Sequence, residues 1–242
     1  MSNFLLRKVR LSIYFWILLA IFAVLALVIP KQTYPTGALT LFSVNSFLYG
    51  FYLAPILAAQ KSRVEELHKI ARSEANSIFA LALGSKSLPD GLRNKLQEQL
   101  LNYLKTLNRQ KKSTGGELEY ENMITYCVEY KGGHKKDVDE FLDGLIANQK
   151  NRTDFAMQMH NPVFTNEWSI MFVLFSITLS FVLTIDAGNH IAYKFVAALL
   201  CTGLSMLLII LVKLSTLTHK KALGIWNPYK KLIQSRFYKI EG

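Results

Sequence analysis

The sequence predicts an all-α integral membrane protein, with four transmembrane helices and a helical cytosolic domain inserted between spans two and three. Three observations carry this. Four long stretches, Leu11–Pro30, Gln32–Gln60, Trp168–Ile185 and Ile191–Val212, hold a single charge among them, Lys194. A bilayer core of roughly 30 Å takes about 20 apolar residues of helix to cross. The polar middle repeats its apolar residues at three and four and has no credible strand run.

The third observation is where the charge lies. The net charge is +11, but the middle, from Lys61 to Glu167, has sixteen basic and fifteen acidic residues. The excess sits at the ends: Arg7, Lys8 and Arg10 at the start, and seven basic residues against Glu241 from Lys213 onward. Lysine and arginine beside membrane ends mark the cytoplasmic side and attract anionic lipid rather than nucleic acid. The linker between spans one and two carries only Lys31, and that between spans three and four only Asp186 and His190. Both termini and the middle are therefore expected in the cytoplasm. The domain division that follows is 1–60, 61–167, 168–212 and 213–242.

Taken in order, the first stretch is about twice the length of a signal-peptide apolar region and lacks a small-residue cleavage site, so it is expected to remain as an anchor. Lys31 to Gly37 make a short turn. Span two does not stop at the membrane: Val64, Leu67, Ala71, Ala75, Ile78 and Ala82 keep its helical spacing up to Gly84. Leu39 to Leu83 is expected as one helix of about 65 Å at ~1.5 Å per residue, kinked at Pro55.

Pro89-Asp90 opens the next helix, whose apolar row is Leu92, Leu96, Leu100, Leu104 and Leu107, ending at Arg109–Lys112. After a Ser113–Gly116 loop, Glu117–Tyr130 is a weaker helix with Tyr120, Ile124 and Cys127 in register. Lys131–Lys136 is a loop. Asp137–Met159 is helix, with Phe141, Leu142, Leu145 and Ile146 as its apolar side, and Asn161-Pro162 breaks the chain before span three. Asp137, Asp139, Glu140 and Asp143 crowd that helix start, where they favour the helix dipole. In the tail, Trp226–Tyr238 mixes aromatic and basic residues in the manner of a headgroup anchor.

Enzyme signatures are poor. The five histidines are scattered, Cys127 and Cys201 are isolated, and neither glycine pair is followed by a phosphate-binding Lys-Ser/Thr. No catalytic, cofactor or metal residue is nominated, and the chain is expected not to be an enzyme.

Span two holds the chemistry that remains. Asn45, Tyr49, Tyr52 and Ile56 share one side, and Arg63 and Glu74 project near the same azimuth. Polar groups at membrane depth face protein or water rather than lipid, so this stripe is either a pore lining or interhelical hydrogen bonding. Arg63 and Glu74 are candidates for the cytosolic mouth or for pairing between neighbouring helices. A quarter-turn away, Ser46, Gly50, Ala54 and Ala58 form a small-residue row suited to close helix packing. Ser176, Ser180 and Thr184 make a similar row on span three, whose hydroxyls can bond back to their own helix.

These residues resemble a pattern in bacterial bestrophin-like membrane proteins, a family of unknown function. The likeness lies in Asn45-Ser46-Phe47-Leu48-Tyr49-Gly50-Phe51-Tyr52 followed by Arg63 and Glu74-Ala75. It continues in Asn151-Arg152-Thr153, Asn161-Pro162 and Trp168, and in the segment Leu223 to Pro228. The tail departs from it at Lys220-Lys221. The resemblance implies a multi-pass protein of the bacterial inner membrane and a homo-oligomer, a pentamer by analogy with bestrophins. It also implies an ion-conducting axis lined by span two, with Ile56 as an apolar constriction. The rival reading is a membrane-anchored sensor or scaffold whose cytosolic helices bind a partner protein.

Overall fold

The computed structural model describes residues 9–110, 115–160, 163, 165–186 and 191–234. The expected Asn161-Pro162 break, Ser113 and Thr114 of the Ser113–Gly116 loop, and the last eight residues lie outside the described residues. The described residues are helical apart from turns and one isolated bridge between Gln32 and Ile185. Four helices among them are long and apolar enough to cross a membrane. Contacts divide the chain into two compact units, Met1–Ser62 with Pro162–Lys220, and Arg63–Asn161 with Lys221–Gly242.

The first unit holds α1 (Leu11–Val28), the first part of α2 (Thr36–Gly84), α6 (Thr165–Thr184) and α7 (Ile191–Ser215). Its elements depart from expectation at their ends. Helix α2 starts at Thr36, three residues before the expected Leu39 and inside the expected Lys31–Gly37 turn, because Pro35 supplies the first carbonyl, bonded by Ala38 and Leu39. The residues before it are tied down instead. Gln32 exchanges backbone bonds with Thr184 (2.8 Å) and Asp186 (3.0 Å), Lys31 Nζ donates to the Leu183 carbonyl at 2.7 Å, and the Tyr34 ring stacks on Phe181. Helix α6 begins three residues before Trp168, and α7 runs three past Val212 to include Lys213.

Two apolar clusters hold the unit. Phe22 and Ala26 of α1 meet Leu183, Ala198 and Cys201, while Tyr49 and Leu53 of α2 meet Met171, Leu208 and Leu211. Helix α7 contributes to both, and its Ala198, Cys201, Thr202 and Ser205 are buried small residues that admit neighbours closely. The outward faces are bare and apolar: Trp16, Val28, Leu41, Phe47, Phe51 and Ile191 are all largely exposed, as lipid-facing side chains are.

The second unit holds the rest of α2, then α3 (Asp90–Gln110), α4 (Glu117–Val128), α5 (Lys135–Met159) and a closing strap. The strap comprises α8 (Lys220–Leu223), whose first residue counts with the other unit, a 3-10 turn Gly224–Trp226, and α9 (Asn227–Gln234). The registers expected of α2 and α3 are the buried ones: Val64, Leu67, Ala71, Ala75, Ile78 and Ala82, and Leu92, Leu96, Leu100, Leu104 and Leu107. In α5 the expected side is narrower, since Phe141 and Leu145 are buried but Ile146 is 56% exposed. Helix α4 starts at Gly116, whose φ of 79° and whose Cα position, where a Cβ would lie 2.4 Å from the Tyr103 ring, both require glycine.

The strap is the main departure. Trp226 and Tyr229 are not headgroup anchors: they are 6% and 0% exposed, inside the helical unit, beside Ala222 and Ile225. Trp226 meets Phe155 edge-on at 5.6 Å, and His68 Nε2 bonds the Lys221 carbonyl at 2.8 Å.

Candidate functional site

The polar stripe of α2 is occupied within its own unit. Asn45 Nδ2 donates to Thr178 Oγ1 at 2.8 Å and to the Leu174 carbonyl at 3.1 Å. Thr178 is itself committed to the Leu174 carbonyl, so Asn45 completes a small network on α6. Tyr49 is 3% exposed among Leu53, Met171 and Leu208, and Tyr52 and Ile56 are partly buried against the same cluster. The Tyr49 hydroxyl and Ser46 Oγ are buried without a hydrogen-bond partner. Of the small-residue row, Gly50, Ala54 and Ala58 are exposed, and a Cβ at Gly50 would meet nothing within 4 Å. Ser46, at the start of the row, is the partly buried member. The serine and threonine row of α6 bonds back: Ser176 to the Phe172 carbonyl and Thr184 to that of Ser180.

Arg63 is 6% exposed, and its Nε and Nη2 donate to the carbonyls of Gln158 and Met159 at 2.7 and 2.8 Å. Those carbonyls belong to the last turn of α5, which has no intrahelical donors for them and carries the negative end of the dipole. A guanidinium supplies both needs at once.

Glu74 forms the most unusual polar group of the protein. Residues 61–74 hold Lys61, Arg63, Glu65, Glu66, Lys69, Arg72 and Glu74, so this part of α2 lies beyond its apolar, membrane-crossing stretch. Yet Glu74 is 1% exposed. Its two oxygens accept hydrogen bonds from two helices, Oε1 from the Tyr103 hydroxyl of α3 and Oε2 from the Tyr229 hydroxyl of α9 at 2.6 Å. Among the described residues no cation lies within ion-pairing distance of it. The nearest charge, Arg152 of α5, stands over the Tyr120 ring at 4.0 Å, 5.5 Å from that of Tyr103, and donates to Gln149. This is a cation–π seat, not an ion pair. Behind it the Tyr120 hydroxyl donates to the Leu145 carbonyl at 2.6 Å, and Asn148 and Asn151 carry the network on towards Ser77.

The electrostatics follow from burial. Burial pushes the Glu74 carboxyl up, opposed by the Tyr103 and Tyr229 hydroxyls and by the charge of Arg152. Burial, reinforced by Glu74, holds the Tyr103 phenol well above its usual range, and burial takes Tyr120 up to about 12. The two phenols are therefore uncharged over the physiological range, and burial shifts Glu74 towards its protonated form. No group of three or more His, Cys, Asp or Glu side chains able to hold a metal occurs among the described residues. Two surface clefts among the described residues of the helical unit are open. One, about 340 Å³, is lined by Ser77, Leu81, Asp137, Glu140 and Phe141; the other, about 450 Å³, by Lys95, Tyr126 and Lys131.

Sequence reasoning nominated Glu74 and Arg63 but missed Tyr103, Arg152 and Tyr229, their companions in the second unit. A signal existed for one: Tyr103 is a phenol inside the leucine row of α3, three residues after Leu100. No known family model, no curated protein and no solved structure matches the chain. The resemblance to bestrophin-like proteins rests on its short motifs alone.

Proposed function

We propose that the protein is a membrane-anchored sensor or scaffold, held by four spans and working through its helical unit on the cytoplasmic side. The observation that carries this is the engagement of the span-two candidates. Asn45, Tyr49, Tyr52 and Ile56 are used in packing α2 onto α6 and α7, and Arg63 and Glu74 in building the second unit. Their engagement inside the chain supports a structural use of the stripe, with Tyr52 and Ile56 partly buried. The helical unit, by contrast, presents apolar side chains to solvent at Leu118, Val128, Ile146 and Met157, which suit contact with a protein partner.

A second reading, the oligomeric channel, draws on one observation of its own. The outward face of α2 carries Leu41, Val44, Phe47 and Phe51 beside exposed Gly50, Ala54 and Ala58, a surface on which copies could pack around a dry constriction. The two readings part in reconstituted vesicles. A sensor or scaffold leaves chloride and potassium flux at background under voltage, calcium and osmotic stress, and photo-crosslinkers at Leu118 and Met157 trap a discrete protein in cells. Flux that responds to Phe47→Ala or Phe51→Ala establishes the channel instead.

A further inference from the structure

A carboxylate buried with no cation beside it is a costly arrangement, and a neutral carboxylic acid is the form that fits such a place. Two phenols from different helices donate to Glu74, one to each oxygen. On protonation the carboxyl would keep both partners, its carbonyl oxygen accepting from one phenol and its O–H turning to the oxygen of the other, since a phenol oxygen can also accept. One of the two phenols, Tyr229, belongs to a strap that is short and locally held. Helix α9 has eight residues, too few to be stable alone, so its order depends on docking. Its anchors on the unit are Tyr229 on Glu74, Trp226 on Phe155, the buried Ala222 and Ile225, and the His68 bond to Lys221.

We propose that Glu74 is a proton-binding latch: the segment Lys221–Gln234 docks on the helical unit as Glu74 takes a proton from solvent, and lets go as that proton returns. This deepens the sensor reading by naming what is sensed, and it rests on that reading only for its biological meaning. The titratable and charged groups facing the latch are Tyr103 from α3, Tyr120 from α4, Arg152 from α5, Tyr229 from α9 and, at the start of the strap, His68 from α2. Burial keeps the three phenols neutral over this range. The His68 bond to a carbonyl needs only an N–H at Nε2, which the neutral ring and the cation both provide. Lys230 and Lys231 are exposed on the far side of α9.

The sign follows from linkage. Because burial raises the carboxyl in the docked state, docking is strongest below the ordinary glutamate range and is lost as pH rises through the raised value. One linked proton changes the docking equilibrium by up to about tenfold per pH unit over that window.

The test uses the full chain in nanodiscs with Trp16→Phe and Trp168→Phe, which leave Trp226 as the one tryptophan. Its emission, and hydrogen exchange of residues 221–234 corrected for intrinsic rate, are followed from pH 4 to 8. The expected result is a docked signal at acid pH that gives way as pH rises, by about tenfold per unit. Glu74→Gln, neutral at every pH, stays docked with a flat profile. Tyr229→Phe removes one of the docking bonds, so release of the strap moves to lower pH. His68→Gln leaves the midpoint in place. A flat wild-type profile, release on acidification, or a slope that survives Glu74→Gln overturns the proposal. Should Glu74→Gln lose its helical circular dichroism, an unmoved midpoint in Tyr229→Phe overturns it equally. The crosslinking and flux assays bear on the sensor reading alone, so the two can fail separately.

Discussion

Arg63 shows how one residue can be named by the sequence and explained only by the structure. Its position at the helical spacing of the stripe was plain, but its acceptors lie 95 and 96 residues away, at a helix end whose bare carbonyls no local pattern announces. Arg63→Ala strips the Gln158 and Met159 carbonyls of their donors. The unit should lose about 1–3 kcal/mol, read by denaturant unfolding, with Arg63→Lys recovering only part because an ammonium lacks the fork. Asn45 is similar: polarity at membrane depth signalled an inward face, while its partner Thr178 was invisible. Cys127 makes a simpler prediction. Burial takes its thiol up to about 11, so at pH 8 it is neutral and shielded, and a maleimide should label it only after the unit unfolds. Rapid labelling of the native protein would contradict its placement.

Elements were legible where the hydrophobic period was long. The run from Val64 to Ala82 and the leucine row of α3 each span several turns, and every position in them is buried. Ile146 misled because a one-residue step beyond Leu145 turns about 100° away from the core. The strap was illegible for a different reason. Eight residues with two adjacent lysines carry too little periodicity to announce a helix, and Trp and Tyr beside basic residues resemble an anchor equally well. Gly116, between α3 and α4, shows the limit of tolerance within an element boundary. Gly116→Ala combines a positive φ with a clash against the Tyr103 ring, and should destabilise the unit by about 1–3 kcal/mol. Gly50→Leu is its opposite. A Cβ there meets nothing within 4 Å and the position is exposed, so the folded chain should melt unchanged. A change in subunit number in native mass spectrometry would then mark this face as a contact between copies.

At the scale of the molecule, four apolar stretches and a charge-balanced middle were enough to predict an all-helical protein with four long apolar helices. The return of residues after α7 to complete the helical unit was not legible, because it depends on Tyr229 reaching a carboxylate 155 residues earlier. The account's central claim is that the polar residues of span two hold the protein together and do not carry ions. Asn45→Leu and Tyr49→Phe in reconstituted vesicles test it most directly, with flux and thermal stability measured on the same preparations. The expected outcome is background flux for wild type and both variants. Asn45→Leu should lose about 1–2 kcal/mol, because Thr178 and Leu174 lose their shared donor. Tyr49→Phe should be neutral or slightly more stable, because its hydroxyl is buried without a partner. Wild-type flux above background that either substitution alters, with stability unchanged, would contradict the account.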